Sequence, residues 1–152
     1  MPYHPGPSVQ VYENLYWGAE KSNVAADPNP RLRAYIAAAR RGARVRVLLD
    51  AYFDNQDFSS PRSSLRTVEY LTAVAQAEGL DLQARRRNLT GQGIHNKMVL
   101  AQVGGPGWAV VGSLNGGEVS AKLNREMVLL AGSDEAYAYL ADGFWYDRDV
   151  AP

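Results

Sequence analysis

Ile94-His95-Asn96-Lys97-Met98-Val99-Leu100 and Val111-Gly112-Ser113-Leu114-Asn115 are the two stretches from which the fold of this chain can be read. In the first, an imidazole and an ammonium stand two residues apart where a polar loop turns into an apolar strand. Alternate residues of a strand leave the same face, so His95 and Lys97 project together. In the second, Ser113 and Asn115 repeat that spacing at the end of a strand. Met98 to Val103 and Trp108 to Val111 are expected to form a hairpin through Gly104-Gly105-Pro106-Gly107. Antiparallel pairing sets the start of one strand beside the end of the other. One imidazole, one ammonium, one hydroxyl and one carboxamide then converge.

Working outward, Val9 to Leu15 alternates as a strand does. Asn29 followed by Pro30 opens a helix with Leu32, Ile36 and Ala39 as its apolar stripe, and Gly42 closes it. Val45 to Leu49 is a buried-type strand. A polar loop with Asn55, Ser59, Ser60 and Pro61 leads to a second helix, with Leu65, Val68, Leu71 and Ala75 on one face and Gly79 at its end. Leu80 to Ala84 reads as a short strand and Arg85 to Gly93 as a basic loop. Met127 to Leu130 is another strand. A last helix, opened by Ser133 or Asp134, carries Ala136, Leu140 and Phe144. Strands alternating with helices before a hairpin give an α/β fold, a mixed β-sheet flanked by helices. Residues 1–8 read as an N-terminal tail and residues 9–152 as one domain.

The converging groups suit a phosphate. Lys97 and Asn115 would hold its oxygens, with Ser113 either joining them or bonding its own turn, and His95 would be left free to react. Asn124-Arg125-Glu126 precedes the next strand, where the Glu126 carboxylate would accept the second ring N–H of His95 and fix its tautomer.

The order His-x-Lys, Gly-Ser-x-Asn and Asn-x-Glu resembles the signature of the phospholipase D superfamily. The stretch Ala37 to Asp50 resembles the helix and strand that precede that motif, and the likeness covers roughly residues 9 to 147. The resemblance implies a metal-independent phosphodiester hydrolase or transphosphatidylase that works through a phosphohistidine on His95 and needs no cofactor. It places Lys97, Asn115 and Glu126 with His95 in the catalytic set, and Lys97, Ser113 and Asn115 at the substrate. One departure is Gln102, where the family usually has an acid. The leaving alkoxide needs a general acid, in this family the histidine of a second motif. Here the only other histidine is His4, with no lysine at the right spacing. The chain is thus one half-unit, completed by a twofold mate or by the rest of a longer chain. Trp108 and Leu114 are candidates for that interface.

The pattern is similar to minimal endonucleases of the superfamily, above all in Ser120 to Glu126. Cardiolipin synthases usually carry Asp and Arg where this chain has Gly117 and Val119. The substrate expected is nucleic acid or phospholipid. The competing reading is a non-catalytic phosphate-binding or interaction domain excised from a larger protein, which the start at a strand favours.

Other features have simpler readings. Arg85-Arg86-Arg87 is either a funnel for polyanions or a solvated charge run. Asp50, Asp54, Asn55 and Asp57 fit no calcium loop and read as a polar loop. Tyr12, Tyr16 and Trp17 read as packing rather than as stacking platforms. Sixteen basic and sixteen acidic residues balance, so the chain has no global basic character to suggest nucleic acid. Without cysteine there is no disulfide, thiolate ligand or thiol nucleophile. The N-terminus lacks the basic start and apolar run of a signal peptide, and no apolar run is long enough to cross a bilayer. Nothing in the sequence fixes a compartment.

Overall fold

The structure is a computed structural model. It describes residues 29–52, 54, 63–88, 91–115 and 124–151, together with the backbone of residues 8–12. His4, Tyr16, Trp17, Asn55, Asp57, Gly117, Val119 and Ser120, read above from the sequence, lie outside the described residues.

Six strands form one mixed sheet: β1 (Ser8–Tyr12), β2 (Arg44–Asp50), β3 (Leu82–Arg87), β4 (Met98–Gln102), β5 (Gly107–Gly112) and β6 (Val128–Gly132). Their order is β3-β2-β1-β4-β5-β6. The β1–β2 and β2–β3 pairs are parallel, while β1–β4, β4–β5 and β5–β6 are antiparallel. The α/β architecture read from the sequence is the one observed.

Helix α1 (Pro30–Arg40) begins as its residues dictate. Asn29 caps it by accepting the Arg31 N–H at 2.8 Å, and Pro30 fills the first position, where no donor is needed. Helix α2 (Ser64–Glu78) is capped by Ser63 and ends at Gly79, whose φ of 65° is the left-handed conformation glycine adopts freely. Ser133 caps α3 (Asp134–Trp145), which runs into a short π-helical turn, Tyr146–Val150.

The sheet separates two cores. On one face Val45, Val47, Leu49 and Leu82 pack with Leu32 and Ile36 of α1 and Leu71 of α2. On the other, Leu48, Met98, Leu100 and Ala109 pack with Tyr137, Ala141 and Phe144 of α3. Strands alternate side chains between faces, so consecutive residues Val47, Leu48 and Leu49 serve both cores. For α3 the buried stripe is Tyr137, Ala141 and Phe144, so Ala136 and Leu140 lie at its margin rather than its centre.

The expected basic loop is a strand through Arg87. Its three arginines alternate. Arg85 and Arg87 reach the terminal π-helical turn, where each donates to the Arg148 carbonyl, at 3.1 and 2.9 Å, and Arg87 also donates to the Ala151 carbonyl. Arg86 points the other way, to an ion pair with Asp54 at 3.0 Å. Guanidinium groups at a helix C-terminus satisfy its orphan carbonyls. Two of the three arginines are therefore fastened to the chain's own end.

Candidate active site

β4 and β5 pair in the register Met98↔Val111 through Gln102↔Gly107. The loop before β4 and the loop after β5 therefore leave the sheet side by side. The Gly112 N–H donates to the Lys97 carbonyl at 3.2 Å, joining the two. Gly112 is needed for a second approach: a Cβ there would overlap the carbonyl oxygen of Met127 on the segment entering β6. The glycine of the Gly-Ser-x-Asn stretch thus lets three chain segments meet at one end of the sheet.

His95 is exposed and Lys97 half-buried. The Lys97 ammonium turns back to donate to the His95 carbonyl at 2.7 Å, closing the loop that carries both. Lys97 also lines a mainly apolar cleft beside α1, with Arg31, Tyr35, Val110, Leu114 and Val128. Burial, which disfavours the charged form, holds its pKa below the ordinary lysine value. The negative charges of Glu126 and Asp50 oppose that shift. Desolvation in the cleft thus makes it a better acid than a solvent-exposed lysine.

Ser113 and Glu126 meet directly. The Ser113 hydroxyl donates to Glu126 Oε2 and accepts the Met127 N–H at 3.1 Å, while the Ser113 N–H donates to the Met127 carbonyl at 3.0 Å. Asn124 Nδ2 donates to Glu126 Oε1 at 3.1 Å. Ser113 thus fastens its own turn, one of the two roles open to it. Glu126, expected to serve the His95 ring, has both oxygens engaged by Ser113 and Asn124.

The Asn115 side-chain oxygen is buried and has no hydrogen-bond partner among the described residues. A buried unpaired carboxamide is costly, and turning it about its last torsion presents the NH₂ in the same place. Either orientation leaves a polar group waiting for a partner at the mouth of the site.

The sequence reading missed the weight of Asp50, treated there as loop. It ends β2 and is 2% exposed, its carboxylate accepting the Ile94 N–H at 2.5 Å. Asp54 is likewise occupied, accepting the Ser64 N–H at 2.6 Å and pairing with Arg86. Among the described residues no cluster of three or more histidines and carboxylates could hold a metal ion.

The profile of the family described as "Cardiolipin synthase, PLD-like domain" matches residues 19–148. The chain belongs to the phospholipase D-like domain family. Its fold is that of NucT from Helicobacter pylori, with 14% identity, 95% of this chain and 80% of that one covered, and a TM-score of 0.67. Nuc from Salmonella typhimurium, a phospholipase D family member, superposes with a TM-score of 0.61 at 14% identity, covering 94% of this chain and 80% of Nuc. Polyphosphate kinase from Porphyromonas gingivalis contains a similar unit, at 21% identity and a TM-score of 0.57, covering 98% of this chain but 23% of the kinase. No curated protein matches the chain. Within this phospholipase D-like domain, no described helix is long and apolar enough to cross a membrane.

Proposed function

We propose that the domain cleaves or transfers phosphodiesters through a phosphohistidine on His95. The observation that carries this reading is the meeting of the His95–Lys97 loop with the Gly112–Asn115 turn at adjacent strand ends, beside the Asn115 side-chain oxygen that has no hydrogen-bond partner among the described residues. Lys97 and Asn115 hold the non-bridging oxygens. The unprotonated imidazole attacks phosphorus, a P–N bond forms, and the P–O bond to one alcohol breaks. Water or another alcohol then displaces the imidazole, leaving a phosphomonoester or a new diester. Glu126 orients His95 once substrate loosens its bond to Ser113.

One imidazole cannot be the nucleophile and the proton donor of the same step. The second proton source is the matching His95 of a twofold mate, or another motif in a longer chain. The substrate is a nucleic-acid or phospholipid diester. The family description names cardiolipin synthase and the structural relatives include Nuc and NucT, so both classes belong in the assay.

The test is turnover of bis-p-nitrophenyl phosphate, single-stranded DNA and phosphatidyl lipids, with a rapid alkaline denaturing quench to trap a phosphorylated His95, whose P–N bond is acid-labile. A wild-type chain that binds phosphate at Lys97 and Asn115 and self-associates, yet turns over none of these, is a binding domain. Activity is expected to survive EDTA. Loss in EDTA with recovery on adding zinc or magnesium would overturn the metal-independent mechanism.

A further inference from the structure

Asp50 closes β2 at the same end of the sheet as His95. A carboxylate exposed by only 2% needs partners, and this one is built into a line of them. Its Oδ1 accepts the Ile94 N–H at 2.5 Å, and its backbone carbonyl accepts the Ser64 hydroxyl at 2.8 Å at the start of α2. Ser64 donates its N–H to Asp54, whose side chain is 1% exposed and pairs with Arg86 through charge rather than through a well-aligned hydrogen bond. The line from Arg86 through Asp54, Ser64 and Asp50 therefore ends on the residue immediately before His95.

Ile94 is held twice. Its amide is fixed by Asp50, and its side chain is buried in the α3-side core. On the other flank of His95, the carbonyl of His95 itself is held by Lys97 and the Lys97 carbonyl by Gly112. An exposed imidazole is thus carried on a backbone fastened at both sides. Of these fastenings, the Asp50 carboxylate is the buried charged acceptor, and its field also reaches Lys97.

We propose that Asp50 is the positioning residue of this site: by holding the Ile94 N–H, its carboxylate sets the direction in which His95 leaves the backbone. Among the described residues, the charged and titratable groups around Lys97 are Asp50 from β2, Glu126 from the segment before β6, Arg31 and Tyr35 from α1 across the cleft and His95 on its own loop. The effect on turnover rests on the phosphohistidine reading; the positioning itself does not.

Two variants separate the effects. Asp50→Asn keeps the size and an acceptor for the Ile94 N–H but removes the charge; Asp50→Ala removes both. By NMR, the wild-type Ile94 amide proton should lie far downfield and exchange slowly. It should move upfield in Asp50→Asn and lose protection in Asp50→Ala, and the Lys97 titration should move to lower pH in both. With bis-p-nitrophenyl phosphate, Asp50→Ala should lose about 10- to 100-fold in kcat with KM changed less, as expected for a misaimed nucleophile. Asp50→Asn should bring the alkaline fall of kcat/KM to lower pH. An Asp50→Asn chain with the wild-type Lys97 titration and Ile94 shift would overturn the proposal. So would one that fails to fold, because Asp50 would then be a stability residue only. If the wild type proves inactive, the phosphodiesterase reading falls while the NMR comparison still decides the role of Asp50.

Discussion

In β2 every residue from Val45 to Asp50 is buried, whereas in β6 Val128, Leu129 and Leu130 are 44%, 62% and 61% exposed. The two strands have similar apolar character, and their positions in the sheet separate them. β2 lies inside the sheet with a core against each face, while β6 is an edge with α3 near only part of it. Trp108, 41% exposed on β5, extends the open apolar surface, and the cleft beside Lys97 opens onto Val128. Stability is thus concentrated around β2, and the candidate site sits beside the open half. An apolar edge next to the candidate site is what the proposed completion by a second motif would require.

The sharpest break in that division is chemical. His95→Ala should abolish turnover by about a thousandfold or more while leaving the urea midpoint unchanged, since the side chain is exposed. Leu48→Ala, at 0% exposure, should do the reverse, costing about 2–5 kcal/mol in urea unfolding. If Leu48→Ala were as mild as a surface change, the contrast between the two halves would be wrong. Leu130→Glu should leave the monomer folded but weaken self-association, so that sedimentation and activity fall together on dilution. A Leu130→Glu chain that stays dimeric and active would move the partner's seat away from β6.

Lys97→Met sharpens the same contrast through pH. Burial places the Lys97 pKa below its unfolded value, so between the two values the unfolded chain binds more protons and stability rises with pH. Below the folded value the penalty on the charged form applies in full. Lys97→Met should therefore lose phosphate binding in calorimetry while its melting temperature at neutral pH holds or rises. In the wild type, kcat/KM should fall on the alkaline side before an ordinary lysine would titrate. The smallest effect is Leu130→Ala, expected to cost less than about 0.5 kcal/mol.

The helix ends were legible because capping is local: Asn29, Gly79 and Ser133 sit where their side chains or backbone freedom are used within a few residues. The pairing of β4 with β5 was legible from the glycine-rich turn between them. The run Arg85 to Arg87 was not, because a strand of alternating arginines looks like a loop until its partners are known. The partners of Arg85 and Arg87 lie 61 to 64 residues away, in the terminal turn, and Arg86 reaches back to Asp54. Asp50 was passed over for the same reason, since its role depends on the amide of a residue 44 positions downstream. The depressed Lys97 value also escaped, because desolvation belongs to the cleft that α1 completes.

The position of β1 between β2 and β4 has a consequence for biosynthesis. Val11 pairs with Val47 on one side and with Val99 on the other. At about 5–20 residues per second of synthesis, β1 waits some seconds for its second neighbour after emerging from the ribosome. Through that interval one of its edges is bare. A chain stalled before Met98 would therefore be an aggregation-prone intermediate, and a holdase chaperone that covers strand edges should associate with it until the hairpin is made.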